Sequence, residues 1–275
     1  MIIDSHQHFW NYNEERDTWI NESMEILKKD FLPHDLEPIL KQNKIDGCIA
    51  VQADQSEEET EFLLKCASDN KFIKGVVGWV DLCSENLESR LSYFSNNPIF
   101  KGVRHIVQAE NSNYLRKKDV EKGIGKLSKF NLTFDLLITT EQIKSAISLV
   151  EKLPNQKFIL DHIAKPKISE PIENDWLSGI IKLSEKKNVW CKLSGLVTET
   201  NEYNFEVSDF NPFIKVIFEN FGPDRILFGS DWPVCLLASN YKNVLGIIIN
   251  YFKDYDPEVK KKIFGGNAKI FYNLF

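Results

Sequence analysis

Paired cysteines are missing from this sequence: its five, Cys48, Cys66, Cys83, Cys191 and Cys235, are odd in number, widely spread and never in a C-x-x-C. That excludes zinc-finger spacing and a disulfide framework, and reads as reduced thiols in a cytosolic protein. No apolar run approaches the about 20 residues that a bilayer span needs. The chain opens Met1-Ile2-Ile3-Asp4 and reaches His6 and His8 without a basic stretch or apolar run, so no secretory signal is read and a cytoplasmic location is expected. Positive charge is not in excess either. Lys and Arg number 34 against 40 Asp and Glu, a formal net charge of −6, which argues against nucleic acid or an anionic membrane as partner. Low-complexity segments and long Pro/Gly linkers are absent. With 43% hydrophobic and 27% charged residues the composition is ordinary for a globular chain of 275 residues.

What is present is a repeated strand-like run. Ile2–Ser5, Gly47–Gln52, Phe72–Val80, Gly102–Val107, Thr133–Ile138, Lys157–Ile163, Val189–Leu193 and Arg225–Phe228 are mostly rich in Val, Ile, Leu and Phe and too short for helices. Amphipathic segments such as Glu57–Asn70, Leu87–Ser95, Glu141–Leu153 and Trp176–Lys187 lie between them. Strand starts fall 24 to 45 residues apart, and a helical segment over Glu258–Leu274 completes an eighth unit. Eight βα units in one chain of this length describe a TIM (β/α)8 barrel, here a single α/β domain over residues 1–275. A doubly wound sheet is the rival, but no G-x-G-x-x-G follows the first strand. The long first connection, Phe9–Asp46, is expected to hold an extra loop at the barrel mouth and a helix over Asp35–Gln42.

In such a barrel the catalytic groups sit at the C-terminal ends of the strands. The polar residues there are His6 and His8 after strand 1, Gln52 and Asp54 after strand 2, and Trp79 and Asp81 near the end of strand 3. Strands 4 to 8 add Arg104 and His105, Asp135, Asp161 and His162, Lys192 and Ser194, and Ser230 and Asp231. Residues two apart on an extended segment face the same way, so His6 and His8 can converge on one metal or one substrate oxygen. Asp231 ends an apolar strand just before Trp232-Pro233, where a carboxylate can bind a metal or accept a proton from water. Arg104 and His105 are neighbours on a strand and must point to opposite faces. Lys192, central in an apolar strand, either faces the lumen mouth or pairs with a carboxylate such as Asp161.

At His6-x-His8, Lys101-Gly102-Val103-Arg104-His105, Leu160-Asp161-His162-x-Ala164-Lys165-Pro166 and Phe228-Gly229-Ser230-Asp231-Trp232-Pro233 the sequence resembles the amidohydrolase-related metal-dependent hydrolases. More narrowly it is similar to their sugar-lactone branch, which includes L-fuconolactonase, L-rhamnonolactonase and 4-sulfomuconolactonase; Asp4-Ser5-His6-Gln7-His8-Phe9-Trp10 and Val51-Gln52-Ala53 share that likeness. The resemblance implies hydrolysis of a cyclic ester such as a small sugar lactone of the L-fuconolactone kind, with His6, His8, His162 and Asp231 at the reaction centre.

Two departures from the wider superfamily stand out: strand 4 offers no metal-bridging lysine or glutamate, and strand 5 has Asp135 where a metal-binding histidine is usual. At most one divalent ion, zinc for example, is therefore expected on His6, His8 and Asp231, and a metal-independent reaction stays open. Asp231 is read as the base. Arg104, His105, Gln52, Asp135 and Lys192 are candidate substrate contacts, and Trp10, Trp79 and Trp232 candidate walls for a sugar ring, with simple core packing as their alternative. A metal-dependent decarboxylase of the same superfamily, a non-sugar lactonase and an inactive sugar-binding barrel are the rival readings, and the oligomeric state is left open.

Overall fold

The computed structural model describes residues 1–274, and among them eight parallel strands hydrogen-bond in sequence order. They are β1 (Ile3–Gln7), β2 (Gly47–Val51), β3 (Ile73–Gly78), β4 (Phe100–His105), β5 (Thr133–Leu136), β6 (Phe158–Leu160), β7 (Val189–Leu193) and β8 (Ile226–Phe228). The helices α1 (Pro33–Gln42), α2 (Glu57–Asp69), α3 (Leu87–Ser95), α4 (Lys118–Leu127), α5 (Ile143–Lys152), α6 (Asn174–Ser184), α7 (Asn211–Phe221), α8 (Tyr241–Tyr251), α9 (Pro257–Lys261) and α10 (Asn267–Phe271) alternate with the strands or follow the last of them. This is the expected (β/α)8 barrel in one domain. Just past β8, Asp231 N–H donates to the His6 carbonyl at 2.8 Å and His8 N–H to the Trp232 carbonyl at 2.7 Å, so the first and last strands are stitched together at the mouth. No described helix is long and apolar enough to cross a membrane.

Local chemistry sets the element ends. Ser56 caps α2 by accepting from Glu59 N–H, and Glu57 and Glu58 put negative charge at the positive end of the helix dipole. Asp256 caps α9, with Pro257 at its first position. Strand alternation then sorts side chains by face. On β5, Phe134 and Leu136 belong to the core under the helices while Asp135 between them pairs with Lys192 of β7, whose neighbours Cys191 and Leu193 also join that core. A second apolar cluster, including Ile3, Ile49, Val77, Ile159 and Leu227, fills the interior together with Phe271 of α10 and Tyr272 just after it. Asp4 and His6 have the same parity, yet Asp4 accepts from Ser230 and from Tyr241 of α8 while His6 meets Lys192 and Arg104. A register irregularity between Asp4 and Gln7 accounts for the switch.

Above the apolar cluster lies a layer of buried charge. Lys192 Nζ stands 2.5 Å from Asp135 Oδ2 and 2.9 Å from Asp161 Oδ1, all three residues wholly buried. Arg104 Nη1 reaches Asp161 Oδ2 at 3.2 Å. Of the two roles open to Lys192, the structure places it in the ion pair. Removing the ammonium would leave two carboxylates buried together, so Lys192→Met is expected to cost about 3–5 kcal/mol, read as a lowered urea midpoint. Adding Asp135→Asn should recover part of that loss; an unchanged midpoint for the single variant would contradict the account.

On β4, Arg104 takes the lumen face and His105 the outer one, where its ring stacks on Tyr114 at 4.7 Å and its Nε2 lies 3.2 Å from Glu110. Burial holds the His105 imidazole below its usual value even with Glu110 pulling the other way. As pH falls, the unfolded chain takes up this proton first, so the stability His105 contributes is present above about 6.5 and is lost below it. Urea midpoints of the wild type and His105→Gln at pH 7 and pH 5 check the sign. The wild type should lose more than the variant on acidification, and a larger loss in the variant would reverse the assignment.

Candidate active site

Three imidazoles converge on one carboxylate at the C-terminal end of the barrel. His8 Nε2 lies 3.3 Å, His6 Nε2 3.7 Å and His162 Nε2 3.9 Å from Asp231 Oδ1, and all four residues are buried. His6 comes from inside β1 and His8 from just beyond it. The strand runs two residues further than the sequence suggests, which fixes His6 rigidly. β6 is shorter than expected, because after Asp161 the chain enters a left-handed turn in which His162, Ile163, Ala164 and Lys165 all have φ between 48° and 63°. Four non-glycine residues in that region are costly, at roughly 1–2 kcal/mol each. Trp176 Nε1 donates to the Ile163 carbonyl at 2.7 Å and helps hold the turn. Asp231 also sits at positive φ, 58°.

Two glycines make room. A Cβ on Gly229 would fall 2.6 Å from His6 Cβ, and one on Gly195, itself at φ +62°, 2.3 Å from His162 Nδ1. Ser194 Oγ contacts His162 Nδ1 at 2.9 Å and leaves Nε2 to face Asp231. His8 Nδ1 lies 2.7 Å from the Val51 carbonyl, which can only accept, so Nδ1 carries the proton. With Nδ1 so engaged, His8 turns Nε2 toward the carboxylate oxygen 3.3 Å away. A proton or a cation held between these two atoms would satisfy both.

Burial disfavours the charged forms of His6 and His162, while Asp231 stays ionised. Burial lowers His6 well below its usual value and His162 to about 4. Burial alone would raise the Asp231 carboxyl, but His162, His8 and His6 together hold it well below the usual carboxylate range. Beneath it, Lys192, His6 and Arg104 likewise overcome burial and keep Asp161 ionised, while burial outweighs Lys192 at Asp135 and lifts it to about 6. One ligand atom each from His6, His8 and Asp231 can lie within 4.8 Å of the others, and so can a second set of His6, Asp161 and His162. Asp161 is already committed to Lys192 and Arg104. The first set matches the three protein ligands of a catalytic zinc site.

Above these groups opens a cavity of about 460 Å³. His8, Arg104, His162 and Asp231 line its base. Gln52 does not: it is spent on Arg104, whose Nη2 donates to both its carbonyl and its side-chain oxygen. Asp135 and Lys192 lie in the charged layer below, and His105 lies outside the lumen. None of the three tryptophans read as walls lines the cavity. Trp10 packs on Phe31 and donates to the Lys29 carbonyl, Trp232 sits among Phe9 and Phe31, and Trp79 donates to His105 Nδ1. Trp19, from the long first connection, and Tyr203, from the loop after β7, rim the opening instead, with Lys165 and Glu199 beside them. The A-K-P of the His162 segment was a visible signal for Lys165; nothing periodic marks Trp19 or Tyr203.

A family profile described as amidohydrolase matches residues 3–274. The L-fucono-1,5-lactonase of Burkholderia ambifaria is 31% identical over 278 residues, 99% of this chain and 95% of its own. The L-fucono-1,5-lactonase of Burkholderia multivorans is 33% identical over 286 residues, 100% of this chain and 96% of its own. An amidohydrolase from Burkholderia multivorans, crystallised with bound HEPES and, in another space group, with bound zinc, superposes with a TM-score of 0.96 at 32% identity over the whole of both chains. By profile, by sequence and by fold, this chain belongs to the amidohydrolase family.

Proposed function

We propose that this protein is a lactone hydrolase that opens a six-membered sugar lactone, L-fucono-1,5-lactone first, to the aldonic acid. The observation that carries the reading is the convergence of three buried imidazoles on an ionised Asp231 at the base of a cavity of about 460 Å³, large enough for one sugar ring. The names of two relatives that match nearly the whole chain give the substrate class.

Hydrolysis needs water delivered to the lactone carbonyl carbon, a base for its proton, and a proton for the ring oxygen as it leaves. Asp231, held ionised among the histidines, takes the proton of the attacking water. The same proton then returns to the ring oxygen when the carbon–oxygen bond breaks, leaving a hydroxyl and a carboxylic acid. His162, oriented by Ser194, aims Nε2 into the same space and positions the water. Arg104, at the cavity base, offers positive charge to the developing oxyanion. His6, His8 and Asp231 fit a single divalent ion, which when bound supplies Lewis-acid charge beside the carbonyl.

Asp231→Asn keeps size and polarity but cannot accept the proton, so kcat should fall by about 10²- to 10⁴-fold with the fold intact. More than a tenth of wild-type activity in that variant would move the base role to His162. A wild type that opens no aldonolactone faster than water would end the lactonase reading.

Metal content is a separate measurement. Elemental analysis of protein purified without chelator should find no more than one divalent equivalent, and His8→Gln should lose it. Two tightly held equivalents would place a second ion on the set now given to Lys192 and Arg104.

A further inference from the structure

Resting on the lactonase reading, we infer that the Lys165–Glu199 ion pair in the cavity wall reads the hydroxyl groups of the substrate and selects uncharged polyhydroxylated lactones over carboxylate-bearing ones. Lys165 Nζ lies 2.9 Å from Glu199 Oε1, with side chains 23% and 19% exposed, and both residues line the cavity. The pair is built rather than incidental. Lys165 occupies the last position of the left-handed turn that delivers His162, its N–H donating to the His162 carbonyl at 2.8 Å. Glu199 is tied across to the same segment by its carbonyl, which accepts from Ile168 N–H at 3.0 Å. One strained turn therefore fixes the reaction centre and the wall of the cavity in a single rigid piece.

Charge decides what the pair can bind. The formally charged residues lining the cavity are Arg104, Lys165, Glu199 and Asp231, two of each sign, so the cavity offers no net attraction to an anion. Arg104 is already engaged by Asp161 and Gln52. Lys165 with Glu199 presents a donor and an acceptor side by side, which matches a hydroxyl, since a hydroxyl both gives and takes a hydrogen bond. A carboxylate in the same place would meet Glu199 as a like charge. Gln55, Gln108, Thr198 and Tyr203 also line the wall among apolar Ile106, Leu137, Val234 and Leu237, but Lys165 and Glu199 are the lining pair that sets a charged donor beside a charged acceptor away from the reaction centre.

The test compares kcat/KM for L-fucono-1,5-lactone, hydroxyl-free δ-valerolactone and carboxylate-bearing glucaro-1,4-lactone in the wild type, Lys165→Met, Lys165→Arg and Glu199→Gln. Lys165→Met should lower the ratio of fuconolactone to valerolactone by about 10- to 100-fold, the range of a lost charge-assisted hydrogen bond, mainly through KM. Lys165→Arg should restore much of it. Glu199→Gln should lower the same ratio and also raise the ratio of glucarolactone to fuconolactone about tenfold, because the ammonium then stands alone. A purely structural role would move all three substrates equally, and that result, or no change in either ratio, would overturn the inference while leaving the lactonase standing. A wild type inactive on every lactone would overturn both together. Should Lys165→Met fail to fold, the two ratios in Glu199→Gln decide the matter alone.

Discussion

Asp161 is the carboxylate on which the upper half of the barrel is assembled. Its Oδ1 faces Lys192 at 2.9 Å and His6 Nδ1 at 3.4 Å, and its Oδ2 faces Arg104 at 3.2 Å. Each contact comes from a different strand, so one buried anion sets the spacing of β1, β4 and β7 around β6. Charge buried this deeply is stable only when compensated. The compensation is what positions the chemistry: His6 is aimed upward because its lower nitrogen meets this cluster, and Arg104 is fixed at the cavity base because its three nitrogens are held by Asp161, Gln52 and His6.

The strained turn after β6 works differently. The buried anion organises through attraction, whereas the turn stores conformational energy that the packing around Ile163 and Trp176 must offset. In return the chain reverses within four residues, and a histidine and a lysine three positions apart serve two parts of one cavity. A regular helical turn would put them on one helix face; an extended segment would separate them.

Most of the barrel was legible in the sequence because strands buried on both faces read as short apolar runs, and because polar residues that end such runs have few structural reasons to be there. His6, His8, His162 and Asp231 come together as that logic expects. Boundaries were less legible where tertiary contacts override local preference: β6 ends early in a left-handed turn, and nothing in His162-Ile163-Ala164-Lys165, which lacks glycine, announces its positive φ. Parity limited Arg104 and His105 to one lumen residue between them without saying which. The tryptophans illustrate the opposite failure. Size and proximity to the motifs favoured Trp10, Trp79 and Trp232, but a large ring next to a motif also fills the space beneath a loop, and here each does so. Trp19 lies in a connection whose path depends on contacts such as the pairing of Trp10 with Phe31, which no local pattern encodes.

The seam between β1 and the segment after β8 carries a consequence for how the molecule is made. His6 and His8 precede Asp231 by more than two hundred positions, and Phe271 and Tyr272, which join Ile3 in the inner cluster, come later still. The reaction centre is therefore complete only when the ring closes, a slow, non-local event in folding. A chain interrupted before β8 holds His6, His8 and His162 without Asp231, and an exposed strand edge in place of a seam. Activity in this architecture is thus a report on ring closure.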